Sequence, residues 1–580
     1  MRGKQAFVQY YSAQRIVDEE QWGDFTDALE RPLPITFTVT RQFAGGLGLH
    51  LQDRLRDGAF PEVHCLDWYP DGSAWKVVTR REEWSPEFKG FLLAATESGL
   101  IVRQELVSMI PALMLCEPTG DGAIQSILDM CAAPGSKTSQ LLQLVRERTT
   151  GLPFADDGVV VANDIDANRC QLTLNRLKCT GSSALVMTRC DATCFPTNTL
   201  FDRVLCDAPC TGDGTIRKSP KMMSRWKSTS GTNLHCLQIK IAARAFQLTK
   251  PGGRMVYSTC SLNPVENEAV VQYLLREFGS AIELVDMSKA LNGLHRSPGL
   301  SSWEVMAATK SCTKLSSFKD VQSAKDAGFG GNCPSSVFPL HDSSLELSRA
   351  MRFVPHLNDS GGFFVAVFQR VPTCSPLADA PVMTSTIRGS NDCTFTPLLE
   401  VDGGREMAET LRSSMSLADT FPMNLLHVLK RDDGGESGRR SKVYMLSPQA
   451  LEKTRFHTET EGLMHSGVRV FERTCRKDSS LDDFRICWEG LPHVLPHMNP
   501  DERIRLIPPS TFRALLHSLA VPIDSLSGLR DALDGALLGN IVLQSEFRGH
   551  RVSVAARYGR VSVQVQNRGA LFRYLARILD

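Results

Sequence analysis

Val159-Val160-Val161-Ala162 constrains the fold more than any other stretch of the chain. Four apolar residues in a row, closed by the polar Asn163-Asp164, do not alternate as a half-exposed strand would. Such a run suits a strand covered on both faces, as in a parallel sheet between two helical layers. The neighbouring sequence supplies those layers. Ile127-Leu128 leads through a glycine-containing loop to a helix expected from Ser136, with Leu141, Leu142 and Val145 on one face. A second helix is expected through Cys170, Leu174 and Leu177, and Leu185-Val186-Met187 and Arg203-Val204-Leu205-Cys206 read as short strands. A helix over about 234–248 stops at Lys250-Pro251-Gly252-Gly253. Met255-Val256-Tyr257 then resumes the sheet, and Gly362 to Phe368 reads as its last strand. Repeated strand–helix units predict an α/β fold with a parallel, doubly wound sheet.

At 580 residues the chain is too long for one core. Residues 1–95 read as a mixed N-terminal region, with a short aromatic helix over Phe7–Ile16 and a strand within Leu33–Thr40. Trp68, Trp75 and Trp84 are expected to build a small core there rather than a base-stacking surface. The sheet domain spans 96–370, interrupted by a Ser-, Gly- and Lys-rich insertion at about 290–350. Residues 371–415 read as a linker. Residues 416–580 read as a small β-rich barrel with one or two helices, including a strand at Gly467–Phe471 and a hairpin around Tyr558-Gly559.

No membrane span or signal peptide is expected, because no long apolar run exists and Met1-Arg2-Gly3-Lys4-Gln5 is polar. Seventeen scattered cysteines suit a reducing compartment. No metal site is expected; Pro496 spoils His493 and His497 as a helical ligand pair. The net charge of +1 neither favours nor excludes nucleic acid, whose binding depends on a local basic face.

Ligands of such sheets bind at the carboxyl ends of the strands. There the chain carries Asp129-Met130-Cys131-Ala132-Ala133-Pro134-Gly135-Ser136-Lys137-Thr138, which is neither a Walker loop nor a dinucleotide fingerprint. Asp164 closes the second strand, placed for two ribose hydroxyls, and Asp191 closes the third, placed for an adenine amino group. Each could equally cap the helix that follows. Asp207-Ala208-Pro209-Cys210 follows the fourth strand and Tyr257-Ser258-Thr259-Cys260-Ser261 the fifth. Two thiols at neighbouring strand ends, beside a carboxylate, point to covalent chemistry rather than to buried apolar cysteines.

These motifs resemble the Nop2/Sun (RsmB-type) family of RNA cytosine-5 methyltransferases, most closely its eukaryotic tRNA-modifying branch. The resemblance rests on Ser98 to Glu105, Asp129 to Thr138, Asp207 to Gly214 and Gly252 to Pro264, and covers most of 7–370. Thr211 stands where serine is commoner, and about 306–335 and the last 180 residues match poorly.

The resemblance implies a Rossmann-like methyltransferase sheet with an N-terminal RNA-binding region and a C-terminal PUA-like RNA-binding domain. It implies S-adenosyl-L-methionine held by Cys131, Ala132, Ala133, Pro134, Gly135, Ser136, Lys137, Asp164, Asp191 and Asp207. Cytosine C5 is a weak nucleophile, and a thiolate adding at C6 activates it. The resemblance gives that role to Cys260, with Asp207 at N3 and the amino group and Cys210 assisting loss of the C5 proton and release of the adduct. Lys137 either places charge near the pocket or is a helix-surface lysine. The target nucleotide must be unstacked, and Arg217, Lys218, Lys221, Arg225, Trp226 and Lys227 are expected either to contact RNA or to form a solvated loop. The implied partner is RNA, tRNA first, with a monomeric enzyme in the nucleus or nucleolus, the cytoplasm being the alternative. A DNA cytosine-5 methyltransferase, whose nucleophile is the Pro-Cys thiol, and a non-catalytic RNA-binding scaffold are the competing readings.

Overall fold

The computed structural model describes residues 2–565 apart from 42–45, 118–123, 150–157, 197–198, 307–313, 316, 319, 321–333, 341, 373–392, 432–441, 460–461, 475–482, 519 and 527. Parts of the expected insertion and linker therefore lie outside the described residues.

Five parallel strands form the centre: Ser126–Asp129, Val159–Asn163, Leu185–Thr188, Phe201–Asp207 and Thr249–Thr259. Their spatial order is third, second, first, fourth, fifth. The direction of winding reverses between the first and fourth strands, so a crevice opens beyond their carboxyl ends. Val159 and Val161 face one apolar cluster with Phe246 and Leu274; Val160 and Ala162 face another with Leu141 and Leu177. All four are fully buried, which explains why the run is continuous rather than alternating.

The sheet is mixed rather than wholly parallel, which corrects the sequence reading. Phe363–Arg370 runs antiparallel beside Thr249–Thr259, in register from Phe364 against Thr259 to Gln369 against Arg254. Met351–Phe353 pairs antiparallel with it in turn, and only a turn containing the short helix Pro355–Asn358 separates the two. That connection is too short for the crossover a parallel pair requires.

The opposite edge is closed by the C-terminal part of the chain. Leu463–Ser466 pairs antiparallel with Leu185–Thr188, and Gly467 N donates to Leu185 O at 2.7 Å. A strand from beyond the sheet domain thus extends the central sheet and covers that edge.

The expected single barrel is two five-stranded sheets. One comprises Cys393–Pro397, Leu426–Arg431, Lys442–Met445, Val468–Thr474 and Asp483–Ile486; the other Ile504–Leu506, Gly539–Phe547, His550–Tyr558, Ser562–Val565 and Val521–Pro522. The expected linker is also shorter than 371–415, because Cys393–Pro397 and the helix Gly404–Met415 fall inside it. The hairpin near Tyr558-Gly559 is present.

In the N-terminal region Thr36–Val39 sits inside a four-stranded sheet completed by Ile101–Arg103, past the expected boundary at 95. Trp68 and Trp75 are buried, the latter in an apolar cluster that also contains Phe37 and Val552 and so joins this sheet to the last C-terminal one.

Arg352, on Met351–Phe353, pairs with Glu268 at the start of helix Glu268–Phe278. Its Nε lies 2.6 Å from Oε1, its Nη2 meets Oε2, and its Nη1 donates to Leu262 O at 2.8 Å. Both side chains are buried. Arg352→Met strands a buried carboxylate and is expected to lower stability by about 3–5 kcal/mol, with Arg352→Met/Glu268→Leu recovering much of the loss. Denaturant titration of the full chain checks this; a single-variant loss below about 1 kcal/mol contradicts it.

Candidate active site

Asp207 ends the fourth strand and lies in register with Ser258 of the fifth. The loops leaving these strands carry Cys210 and Cys260, whose sulfurs are 3.4 Å apart. Gly214 N donates to Cys260 O at 2.9 Å, and Gly362 N donates to Gly214 O at 2.8 Å. A Cβ at Gly214 would collide with both the Cys260 and Gly362 carbonyls. Glycine is therefore required for the loops to approach.

Two buried carboxylates fix the approach. Asp213 Oδ1 accepts from Leu262 N at 2.9 Å and Ser261 Oγ at 3.1 Å. Its Oδ2 accepts from Trp226 Nε1 at 3.0 Å and from the Tyr11 hydroxyl. Glu266 accepts from Thr211 N (2.8 Å), Thr211 Oγ1 (2.6 Å), Ser261 Oγ (2.6 Å) and Gln238 Nε2 (3.0 Å). Burial and then the Asp213 charge raise the Glu266 carboxyl, against the pull of the Ser261 and Thr211 donors. The N-terminal helix Arg2–Gln14 adds Tyr10, whose hydroxyl donates to Asn263 Oδ1 at 2.9 Å.

Asp207 is oriented from two sides. Lys137 Nζ binds Oδ2 at 2.7 Å and Ser258 Oγ donates to Oδ1 at 2.7 Å. Lys137 also donates to Ser108 Oγ at 2.7 Å and is buried rather than on a helix surface. Burial alone would lower its pKa, but the Asp207 charge and hydrogen bond, then the Cys260 charge, hold the ammonium above its ordinary value. A fixed positive charge therefore stands beside the Asp207 carboxylate.

At the other end of the crevice, Cys131 to Ser136 link the first strand to helix Ser136–Thr149, with Gly135 at φ 96°. Ala133 N donates to Asp164 Oδ2 at 3.3 Å, and Arg169 Nη2 lies 3.2 Å from the same carboxylate. Asp191 accepts from Thr193 N and Thr193 Oγ1, both at 2.8 Å, so it caps its own turn. Asp129 is a site residue the sequence reading left out. Its Oδ2 takes Thr138 Oγ1 at 2.7 Å, while its buried Oδ1 has no partner of ordinary geometry although the Cys131 main chain runs close by. Burial pushes this carboxyl up to about 7, with Thr138 opposing and the Asp207 charge assisting.

The basic segment divides. Lys218, Lys221, Arg225 and Lys227 are exposed, but Arg217 is 4 % exposed. Its guanidinium binds the carbonyls of Arg31 (3.1 Å), Ser360 (2.8 Å) and Pro32 (2.9 Å), and Asp359 Oδ1 at 2.6 Å. Trp226 contacts the Phe7, Tyr10 and Tyr11 rings. Both residues are thus engaged within the protein, Arg217 fully and the half-buried Trp226 through its ring contacts. Asp213 and Glu266 were missed by the sequence reading, although Asp213 stands inside the marked stretch Asp207 to Gly214 and Glu266 lies two residues past the marked stretch Gly252 to Pro264.

Comparison with known proteins decides what this arrangement belongs to. Residues 114–369 match the family described as 16S rRNA methyltransferase RsmB/F, and 398–499 match the NSUN2 Pre-PUA domain. The chain is 32% identical over 550 residues to a multisite-specific tRNA:(cytosine-C(5))-methyltransferase of Saccharomyces cerevisiae, covering 86% of this chain and 76% of that one. It is 31% identical to a fission-yeast (Schizosaccharomyces pombe) enzyme of the same description, covering 85% and 82%. The chain belongs to the RsmB/F family of methyltransferases. A Drosophila melanogaster tRNA (cytosine(34)-C(5))-methyltransferase is 36% identical over 402 residues, 63% of this chain and 52% of the relative. This RsmB/F protein is an RNA cytosine-5 methyltransferase, and its β-rich C-terminal part includes a Pre-PUA domain.

In this RsmB/F enzyme the hydrogen bond to Cys260, then burial, then the Cys260, Glu266 and Asp207 charges push the Cys210 thiol well above its ordinary value. A raised pKa keeps the thiol protonated to higher pH. Cys260→Ala removes the largest cause and leaves burial, so the Cys210 pKa is expected to fall yet stay above the free-thiol value of about 8.5. Peptide-resolved iodoacetamide labelling across pH should show the Cys210 midpoint moving down; an unmoved midpoint contradicts the coupling.

Proposed function

We propose that the chain methylates C5 of cytosine in tRNA, with S-adenosyl-L-methionine as donor, through a covalent bond between Cys260 and cytosine C6. The observation that carries this reading is the pair of thiols 3.4 Å apart at adjacent strand ends, next to an Asp207 carboxylate oriented by Lys137 and Ser258. The tRNA assignment is supported by the activities named for the yeast and fly relatives.

The crevice residues fit such a donor. A carboxylate stands at or just beyond the end of the second, third and fourth strands, and no phosphate-binding glycine pattern accompanies them. Cys131 to Lys137, Asp164, Asp191 and Asp207 would hold it. When bound, it supplies a methyl group on a positively charged sulfur.

The protein's share of the chemistry is to make C5 nucleophilic and then restore the ring. Asp207 would face N3 and the amino group, orienting the base as electron density moves onto the pyrimidine, with the Lys137 charge close by. The Cys260 thiolate adds to C6, and the former C5=C6 pair becomes the nucleophile at C5. After methylation C5 carries both its original hydrogen and the new methyl group. Removing that proton restores the double bond and expels Cys260 as thiolate.

Cys210 is placed for this second half. While Cys260 is free, its hydrogen bond and charge hold the proton on Cys210. Once Cys260 is a neutral thioether both influences vanish. Cys210 then ionises more readily and becomes an available base at the stage that requires one.

Incubating Cys210→Ala with tRNA and S-adenosylmethionine should trap a protein–RNA adduct stable on a denaturing gel. Cys210→Ala/Cys260→Ala should give none, and Cys260→Ala alone should lower turnover by at least about 10³-fold. An adduct in the double variant would falsify the assignment, and a chain inactive on every RNA would favour a binding scaffold.

A further inference from the structure

We propose that a cleft between the N-terminal sheet region and the last C-terminal sheet holds one nucleotide of the bound RNA, away from the target cytosine. The proposal rests on the tRNA reading and adds a second contact site to it. None of the residues used below belongs to the central sheet or its crevice.

The cleft has two adjoining chambers that share Arg54 and Ala59 as a wall. The first, about 490 Å³, is lined by His50 and Arg54 of helix Leu47–Arg56, Arg513 of helix Pro509–His517, and Phe547 and Arg548 at a hairpin end. His50 and Arg54 are one helical turn apart and so share a face. Asp57 and Glu546 also line it, but Asp57 is bound by Arg548 and Glu546 by Arg551 at 3.0 Å. In this chamber Arg54, Arg513 and Arg548 stand against two acids, so it is the side of the cleft that favours an anion.

His50 is the informative residue. It is 3 % exposed, and neither ring nitrogen has a hydrogen-bond partner of ordinary geometry, although the Phe547 main chain runs close by. A buried polar group left unpaired is unfavourable and marks a place where a partner is missing. Burial, then the Arg54, Arg548 and His550 charges, lower its pKa to about 4. It is neutral at physiological pH and offers one donor and one acceptor, the complement of a nucleotide's phosphate, sugar and base edges.

The second chamber, about 610 Å³, is mostly apolar, with Leu51, Phe60, Phe91 and Ala94 in its lining beside the carboxylates of Glu62 and Glu87, which suit a base edge and not a phosphate. The Phe60 and Phe91 rings are stacked at 4.5 Å with 21° between their planes. A third flat ring can extend such a stack, as bases do on aromatic platforms in single-strand binding. Arg54 stands between the two chambers, where a nucleotide would pass from base to phosphate.

Three full-length proteins test this by RNA binding across salt concentrations: wild type, Arg54→Ala/Arg513→Ala, and Ala59→Trp, which fills the shared wall without changing charge. Two RNAs are used, a whole tRNA and a short hairpin carrying only the target loop. Both variants should bind tRNA about tenfold more weakly, and the arginine variant alone should lose roughly 1–2 units of salt slope. Hairpin affinity should stay within about twofold of wild type. Unchanged tRNA affinity in both variants overturns the proposal, as do equal losses on the two RNAs. Failure of the tRNA reading shows separately, as a wild-type protein that neither binds nor methylates tRNA.

Discussion

The approach of Cys210 to Cys260 depends on burying two carboxylates between three stretches of chain that are distant in sequence. Asp213 gathers Leu262 N, Ser261 Oγ, Trp226 and Tyr11; Glu266 gathers both polar groups of Thr211, together with Ser261 and Gln238. A hydrogen bond to a charged group contributes about 1.5–3 kcal/mol, and an unmatched buried charge would be strongly unfavourable. The loops after the fourth and fifth strands therefore have little freedom to separate. Thiol proximity follows from this network and from the glycine at 214, rather than from attraction between the sulfurs.

The same economy of partners runs through the rest of the site. Ser261 serves both carboxylates, and Arg352 holds Leu262 O while neutralising Glu268. The N-terminal helix braces the cysteine-bearing loops, because Tyr11 and Tyr10 end on Asp213 and Asn263. Lys137 joins the loop that follows the first strand to the carboxylate that ends the fourth. The start of helix Ser136–Thr149 is thereby tied directly to the end of the fourth strand.

Much of this was legible in the sequence where local pattern and tertiary role coincide. The Val159 run, the cysteine-bearing turns and the strand-end aspartates declare themselves because spacing and burial agree. Arg217 and Trp226 did not, since a basic stretch with a tryptophan reads as an RNA surface until the carbonyls of Arg31, Pro32 and Ser360 are brought to it. The strand Gly539–Phe547 escaped for a local reason. Its two-residue turn is Arg548-Gly549, both with positive φ, instead of the commoner Asn-Gly. Leu463–Ser466 escaped for a global one, as nothing within four residues reveals that they pair with Leu185–Thr188.

That last pairing affects how the enzyme is born. A chain emerging from the ribosome at about 5–20 residues per second exposes Leu185–Thr188 tens of seconds before its partner strand exists. Over that interval the nascent sheet has an unguarded border able to recruit stray strands, which the late C-terminal strand alone removes.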